Sequence, residues 1–373
     1  MSMVRAEARA RVRRLLEAAR RAVAPGAARD GLVRRLEQTT GLSRPNIEAA
    51  LDECLELKPT ERELEALLGS VEPAPRAHVI LPSNVFVAAH RALALALAAA
   101  PSVRVKPSRR EPAFCEALHA QAPDLFEPVA ELAVEPDDHV FAYGSDVTLD
   151  TLRRVLPEGA VLHAHGSGFG LAVVELGPSD ELLALAARAI ARDAARFDQR
   201  GCLSPRFVLA LGDVPAAAAF AEQLAACLAE LEHEVPIGRL DPSERAEARW
   251  WVECAACFGR VWPAGSGHVT LRDAGVAGSP RDAAAAFEVP PVGRHLEVVP
   301  LARLEPALAA FAPWLTSVGC GSAALERRIA PRLPRARVTA LGRMQRPRFD
   351  GPVDRRPDPP GERLAARPLP IRR

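Results

Sequence analysis

The sequence predicts an α/β protein of two domains, each built on a mainly parallel sheet covered by helices. Three observations lead there. From His78 onward short apolar runs alternate with longer helical patterns, and β-α-β alternation of this kind implies parallel strands with helices on both faces. After Cys202 the same texture begins again. The chain of 373 residues is 49% hydrophobic, enough material for two sizeable cores.

Taken in order, residues 1–76 read as a helical layer. Residues 3–23 hold a helical pattern with seven arginines, expected to be a solvated face or a mobile leader rather than an arm for nucleic acid or lipid. Shorter helices are predicted over 31–37 and 46–57, the second opened by Ser43 and Pro45, and Thr60-Glu61-Arg62-Glu63 is a capping-box signature for a third. A first α/β domain is expected over 77–172, with strands at 79–81, 102–107, 139–143 and 161–165 and helices at 85–100, 111–122 and 148–156. Ligands in this architecture lie at the carboxyl ends of strands. Asn84, Lys106, Ser145 and His165 all come at or just after such ends, so one crevice is expected to gather them.

The second domain, 173–345, is predicted to carry helices at 179–197, 215–234, 243–257, 305–315 and 322–333. Its strands are predicted at 207–211, 268–271, 296–299 and 337–341. Residues 346–373 are rich in proline and arginine and read as an extended tail.

Formal net charge is +1, so no overall field points to nucleic acid or a membrane. The longest apolar run, 85–100, is interrupted by His90 and Arg91 and falls short of a bilayer span. Seven cysteines form an odd set without the density of a disulfide scaffold, for which a cytoplasmic location is expected. Lysine occurs only at Lys58 and Lys106.

Cys202 follows a polar turn with Gly201, between a predicted helix and a predicted strand. A thiol there can be reached by a ligand and can feel backbone N–H groups and Arg200 or Arg206, which favour the thiolate. The plain alternative is a buried structural cysteine. Gly144-Ser145-Asp146, between a strand and a helix, can hold a phosphate on backbone N–H groups or be an ordinary cap. Gly166-Ser167-Gly168-Phe169-Gly170 precedes a strand-like run and reads as a close-packed turn, not a dinucleotide fingerprint. His163 and His165 share a strand face, but no third ligand is evident, and no metal is expected. The lone Cys254-Ala255-Ala256-Cys257 motif and Trp250-Trp251 read as core or interface packing.

Several of these segments, in this order, resemble the aldehyde dehydrogenase superfamily, and most closely its acyl-CoA reductase branch, known from the fatty acid reductase of bacterial bioluminescence. They are Leu81-Pro82-Ser83-Asn84-Val85-Phe86, Val105-Lys106-Pro107-Ser108-Arg109, Tyr143-Gly144-Ser145-Asp146, Ala164-His165-Gly166 and Gln199-Arg200-Gly201-Cys202-Leu203-Ser204-Pro205, with Leu341-Gly342-Arg343-Met344-Gln345-Arg346-Pro347 and Asp350-Gly351-Pro352 near the end. The resemblance spans about residues 77–355 and implies a Rossmann-type cofactor domain followed by a catalytic domain. It makes Cys202 the nucleophile and Asn84 the donor that holds the oxyanion. Lys106, Ser108, Gly144 and Ser145 become cofactor contacts, and His165 an aid to proton transfer.

Departures from the family pattern sharpen that expectation. Where NAD-preferring members carry a glutamate three residues after the lysine, this chain has Arg109 with Arg110 beside it, which suits a 2′-phosphate and therefore NADPH. Where aldehyde-oxidising members carry the glutamate that activates water, the aligned residue is Ala164. The expected reaction is reduction of an acyl-CoA or acyl-carrier thioester, fatty acyl included, to the aldehyde. The alternatives are an acyl phosphate substrate, aldehyde oxidation, or a non-catalytic protein that binds an acyl carrier. Glu288 is the nearest candidate for the second family glutamate. An acyltransferase or synthetase partner stays open, as does a homo-oligomer, because the stretch before Asn84 is shorter than in relatives.

Overall fold

The computed structural model describes residues 3–177, 179–272, 288–350 and 362–364. Four helices come first: α1 (Met3–Ala22), α2 (Ala27–Thr40), α3 (Arg44–Glu53) and α4 (Glu61–Gly69). The basic α1 has the expected solvated face, but its other face is packed. Val12, Leu15, Leu16 and Ala19 are buried, and arginines of the solvated face reach Glu61, Glu65 and Asp124. The capping box forms as expected, Glu63 N donating to Thr60 Oγ1 at 3.3 Å and Thr60 N to Glu63 Oε2 at 2.6 Å.

The first sheet holds β1 (Arg76–Ile80), β2 (Ser102–Lys106), β3 (Glu127–Pro128), β4 (His139–Tyr143) and β5 (Val161–His165), with β13 (Glu362–Arg363) antiparallel at one edge. Its order is β13-β5-β4-β1-β2-β3, and β1 to β5 pair in parallel. Between these strands run α5 (Ala88–Ala99), α6 (Ala113–Gln121) and α7 (Asp146–Val155). From β1 the chain winds outward to β2 and β3, then returns to β4 and β5 on the other side. That reversal between β1 and β4 is a topological switch point, where open α/β sheets leave a crevice beyond the strand ends.

The second sheet, in the order β12-β11-β6-β7-β10-β9-β8, contains β6 (Phe169–Glu175), β7 (Pro205–Leu211), β8 (Gly259–Ala264), β9 (Gly267–Arg272), β10 (His295–Leu301), β11 (Leu315–Cys320) and β12 (Arg337–Ala340). All its pairings are parallel except the β8–β9 hairpin, whose turn needs Gly265 at φ +68°. Helices α8 (Asp180–Ala195), α9 (Val214–Glu234), α10 (Pro242–Phe258), α11 (Leu304–Phe311) and α12 (Ala323–Ile329) complete the domain. Because β6 pairs with β7 and β11, the passage between sheets falls at 166–168, ahead of the expected 172.

The sequence reading misses β8 and β11, and the two-residue strands β3 and β13. The predicted helix over 305–315 stops at Phe311, and Pro313 stands between it and the strand-forming Leu315, Thr316 and Val318. The most membrane-like stretch is also not 85–100 but α9, long and apolar enough to span a bilayer by length and composition. Its Ala217, Phe220, Ala221, Leu224 and Leu228 pack into the core of the second sheet. On α10 only part of the expected packing holds: Trp251 is buried, but Trp250 and Cys257 are exposed. Most of the expected tail, 351–361 and 365–373, lies outside the described residues.

Candidate functional site

At the switch point a cleft of about 650 Å³ opens, walled on one side by the carboxyl ends of β1, β4 and β5 and on the other by the turn before β7. Asn84, Ser108, Gly144, Ser145, His165 and Cys202 all line it. Lys106 and Arg109 do not. Lys106 ends β2, one strand out from the cleft-lining Ile80, and Arg109 is exposed beside Ser108.

The turn that presents Cys202 is unusual in its backbone. The predicted helix ends at Ala195, and Phe197, Asp198 and Gln199 then adopt φ of 55°, 48° and 61°. Each such non-glycine residue costs on the order of 1–3 kcal/mol, so surrounding contacts must hold the run in place. Asp198 and Gln199 are fully buried. Cys202 emerges exposed, and its carbonyl accepts a hydrogen bond from Thr316 Oγ1 on β11.

Arg200 and Arg206 line the cleft with Cys202 and are held in place by their own hydrogen bonds. Arg200 donates to both Glu244 oxygens at 3.1 and 3.0 Å and to Arg239 O. Arg206 donates to Pro290 O at 2.7 Å and Gln199 O at 2.8 Å, and burial lowers its guanidinium to about 10. These cations brace the turn through backbone and carboxylate contacts.

Asn84 sits in the β1–α5 loop, which delays the start of α5 from the predicted Val85 to Ala88. The side chain is exposed, and its Oδ1 accepts from Ser83 Oγ at 2.9 Å. Close packing joins this loop to the cysteine turn: a Cβ on Gly201 would lie 3.3 Å from Val85 Cγ2, and Phe86 meets Phe197 edge-on at 5.8 Å. The oxyanion candidate and the nucleophile candidate therefore ride on two loops locked to each other.

On the sheet side, Ser145 caps α7, its Oγ accepting from Thr148 N at 3.3 Å, while Ser167 N donates to Asp146 Oδ1 at 3.1 Å. Those bonds tie two backbone turns of the cleft floor together. The glycine-rich run is the close-packed turn expected, since a Cβ on Gly170 would meet Leu203 O at 2.4 Å. Strands β4 and β5 run side by side, so Tyr143 stacks on His165 and Phe141 on His163, each pair at 4.1 Å. His163 also meets His139 at 3.2 Å, and burial drives its imidazole to about 3, hence neutral. Among the described residues no group of three or more metal-ligating side chains converges.

Two placements differ from expectation. Ala164 is 1% exposed and packs with Val140, Ala142, Leu149 and Leu162, so at this strand end His165 faces the cleft and residue 164 faces the core. Glu288 is exposed and does not line the cleft; its charge acts on Cys254. Arg110 is also committed, to Asp241 of the second domain, which leaves Arg109 as the arginine of that pair without such an anchor.

Sequence reasoning passes over a second wall of the cleft. Cys54, Glu56 and His90 of the helical side line it, together with Thr316, Gln345 and Phe349. Burial pushes the Cys54 thiol up to about 12, raises the Glu56 carboxyl and lowers His90 to about 4. Glu56 is the one carboxylate among the described lining residues. The weak signal for this wall was the Gly342–Gln345 segment, fixed by Asp193, which accepts from Gly342 N and Met344 N at 2.6 and 3.1 Å.

Comparison with known proteins places this geometry. The sequence profile of the acyl-CoA reductase (LuxC) family matches residues 122–354. No protein of the curated set matches. Among solved structures, γ-glutamyl-γ-aminobutyraldehyde dehydrogenase from Burkholderia cenocepacia J2315 is 19% identical, with TM-score 0.62 over 90% of this chain and 76% of its own. An E. coli NADP-dependent enzyme is 15% identical at TM-score 0.67 over 91% and 79%. A Sinorhizobium meliloti NAD-dependent aldehyde dehydrogenase is 17% identical at 0.65 over 90% and 75%. The fold is that of the aldehyde dehydrogenases. The chain belongs to the acyl-CoA reductase (LuxC) family and is an oxidoreductase.

Proposed function

We propose that this acyl-CoA reductase family member reduces an acyl thioester, carried by CoA or by an acyl carrier protein, to the aldehyde, with NADPH as the reductant and Cys202 as the nucleophile. The observation that carries the reading is the shared cleft. Its wall holds an exposed thiol, and the asparagine loop packs directly against the cysteine turn.

In this reading the Cys202 thiolate adds to the thioester carbonyl and the carrier thiolate leaves, so the acyl group passes to Sγ. Asn84 and the Cys202 backbone N–H receive the negative charge that develops on the carbonyl oxygen. The cleft residues fit a dinucleotide: Ser108, Gly144, Ser145 and the 166–168 turn lie at a switch point beside the N-terminus of α7. A nicotinamide nucleotide bound there would supply the hydride; its addition to the acyl carbon, followed by breaking of the C–Sγ bond, would release the aldehyde and return the Cys202 thiolate. Arg109 supports NADPH over NADH, with Lys106 for the ribose. Hydrolysis is disfavoured because this strand end offers the cleft no carboxylate: Ala164 faces the core and His165 lines the cleft. His165, stacked on Tyr143, is the group placed to pass a proton.

The test is mass spectrometry of the protein after incubation with acyl-CoAs of graded chain length, with NADPH oxidation followed in parallel. An acyl adduct on Cys202 that disappears when NADPH is added is the expected result. Absence of any adduct at Cys202, with no thioester-dependent NADPH oxidation, overturns the proposal.

A further inference from the structure

The strained turn ahead of Cys202 is held by a buried polar junction that joins all parts of the chain. Asp198 is at its centre, fully buried. Its Oδ1 accepts from Arg294 Nη2 at 2.9 Å and from Asn46 Nδ2 at 3.2 Å, and its Oδ2 accepts from Gly238 N at 2.9 Å. Its own carbonyl accepts from Gly293 N at 3.0 Å. Arg294 is likewise fully buried, and its φ is 70°.

Asn46, on α3 of the helical layer, is specified just as tightly. Its Oδ1 accepts from Phe197 N at 3.1 Å, and its Nδ2 also donates to Ala195 O at 2.9 Å. Those atoms are the last turn of α8 and the first left-handed residue. Gln199 completes the clamp, donating to Pro205 O and His295 O at 2.9 and 2.7 Å and accepting from His295 N at 2.6 Å. The turn is thus fastened to α3, to the 238 loop, to the start of β7 and to the start of β10.

We infer that Asp198, held by Arg294 and Asn46, is a positioning residue for the Cys202 nucleophile: the junction forces the left-handed run that aims residues 201–202 into the cleft. The inference rests on the reading of Cys202 as nucleophile. A buried charge pair, joined by one hydrogen bond and with a carboxylate that also accepts from Asn46 and Gly238, is not needed merely to pack a core, where apolar residues of similar volume serve as well. What apolar residues cannot do is fix three consecutive left-handed backbones. The helical layer, which holds no strand of either sheet, thereby contributes to the chemistry through Asn46.

The experiment uses the full chain with Asp198→Asn and Asn46→Ala, and follows alkylation of Cys202 by iodoacetamide, a readout that needs neither substrate nor cofactor. In folded variants, alkylation of Cys202 and kcat are expected to fall about ten- to a hundredfold, the cost of a misplaced reacting atom, while KM for NADPH stays unchanged. Folded variants with lowered thermal midpoints but wild-type Cys202 alkylation and kcat overturn the inference, leaving the junction structural only. Hydrogen exchange on the unmutated chain is a second measure. The amides of Phe197, Gly238 and Gly293 are expected to exchange as slowly as core strands, and exchange at the rate of open loops overturns the inference without any variant. An unmutated protein whose Cys202 resists alkylation instead sinks the nucleophile reading itself.

Discussion

Cys54 and Cys202 line the same cleft, yet Cys54 closes α3 at 4% exposure while Cys202, just after a left-handed turn, is exposed. Burial pushes the Cys54 thiol up to about 12, so at neutral pH it stays protonated and unreactive. Arg196 and Arg346 pull the other way without offsetting that desolvation. Chemistry at a cysteine thus depends on how the backbone delivers it. An α-helix end under a helical layer delivers a packing residue, and a left-handed turn between two sheets delivers an exposed thiol, the one proposed as nucleophile.

The largest effect should come from exchanging the two. Cys202→Ala is expected to lower acyl transfer at least about 10³-fold, and Cys54→Ala to leave the adduct at residue 202 intact. Peptide mass spectrometry after acyl-CoA treatment decides it, and an adduct on Cys54 would reverse the comparison. Next, Asn84→Ala is expected to reduce kcat by about 10²–10³-fold, the usual cost of one oxyanion donor, with alkylation of Cys202 unchanged. Pre-steady-state acylation separates the two quantities.

A smaller effect belongs to the rim. Arg109→Ala is expected to raise KM for NADPH about tenfold while sparing NADH, in line with one charge-assisted hydrogen bond. Equal loss with both nucleotides would move the 2′-phosphate site elsewhere. Arg110→Ala, which breaks an exposed pair with Asp241, should change stability by less than about 1 kcal/mol.

A pH effect on stability sharpens the same contrast, outside the physiological range. The folded thiol of Cys54 titrates near 12 against a reference of 9.0. Because the folded value is raised, the native state holds the proton longer. The contribution is present below pH 9 and is lost as pH rises through 12. Denaturation midpoints of Cys54→Ala should fall less steeply than wild type across that window, and parallel curves would show Cys54 to be reachable by water.

Much of the site was legible before any coordinates. Strand-end placement predicted a common crevice for Asn84, Lys106, Ser145 and His165, the turn between a helix and a strand singled out Cys202, and the family resemblance added Ser108. Lys106 and Arg109 fall outside the wall: β2 lies one strand away from the switch point, and of its exit only Ser108 reaches the cleft. Ala164 and His165 show why local reading stops there. Strand alternation guarantees that they face opposite ways, but only packing against α7 decides which of them faces the core.

Sequence alone determined the α/β class, the order of most elements and the cysteine around which the chemistry is proposed, since periodicity and turn residues act within a few neighbours. Tertiary structure alone decided the left-handed run at Phe197–Gln199, whose holders Asn46 and Arg294 lie 152 and 96 residues from Asp198. It also decided the cleft wall of Cys54, Glu56 and His90, and the assignment of β6 to the second sheet. A backbone state that local sterics disfavour is written only in the contacts that enforce it, and those contacts come from remote parts of the chain.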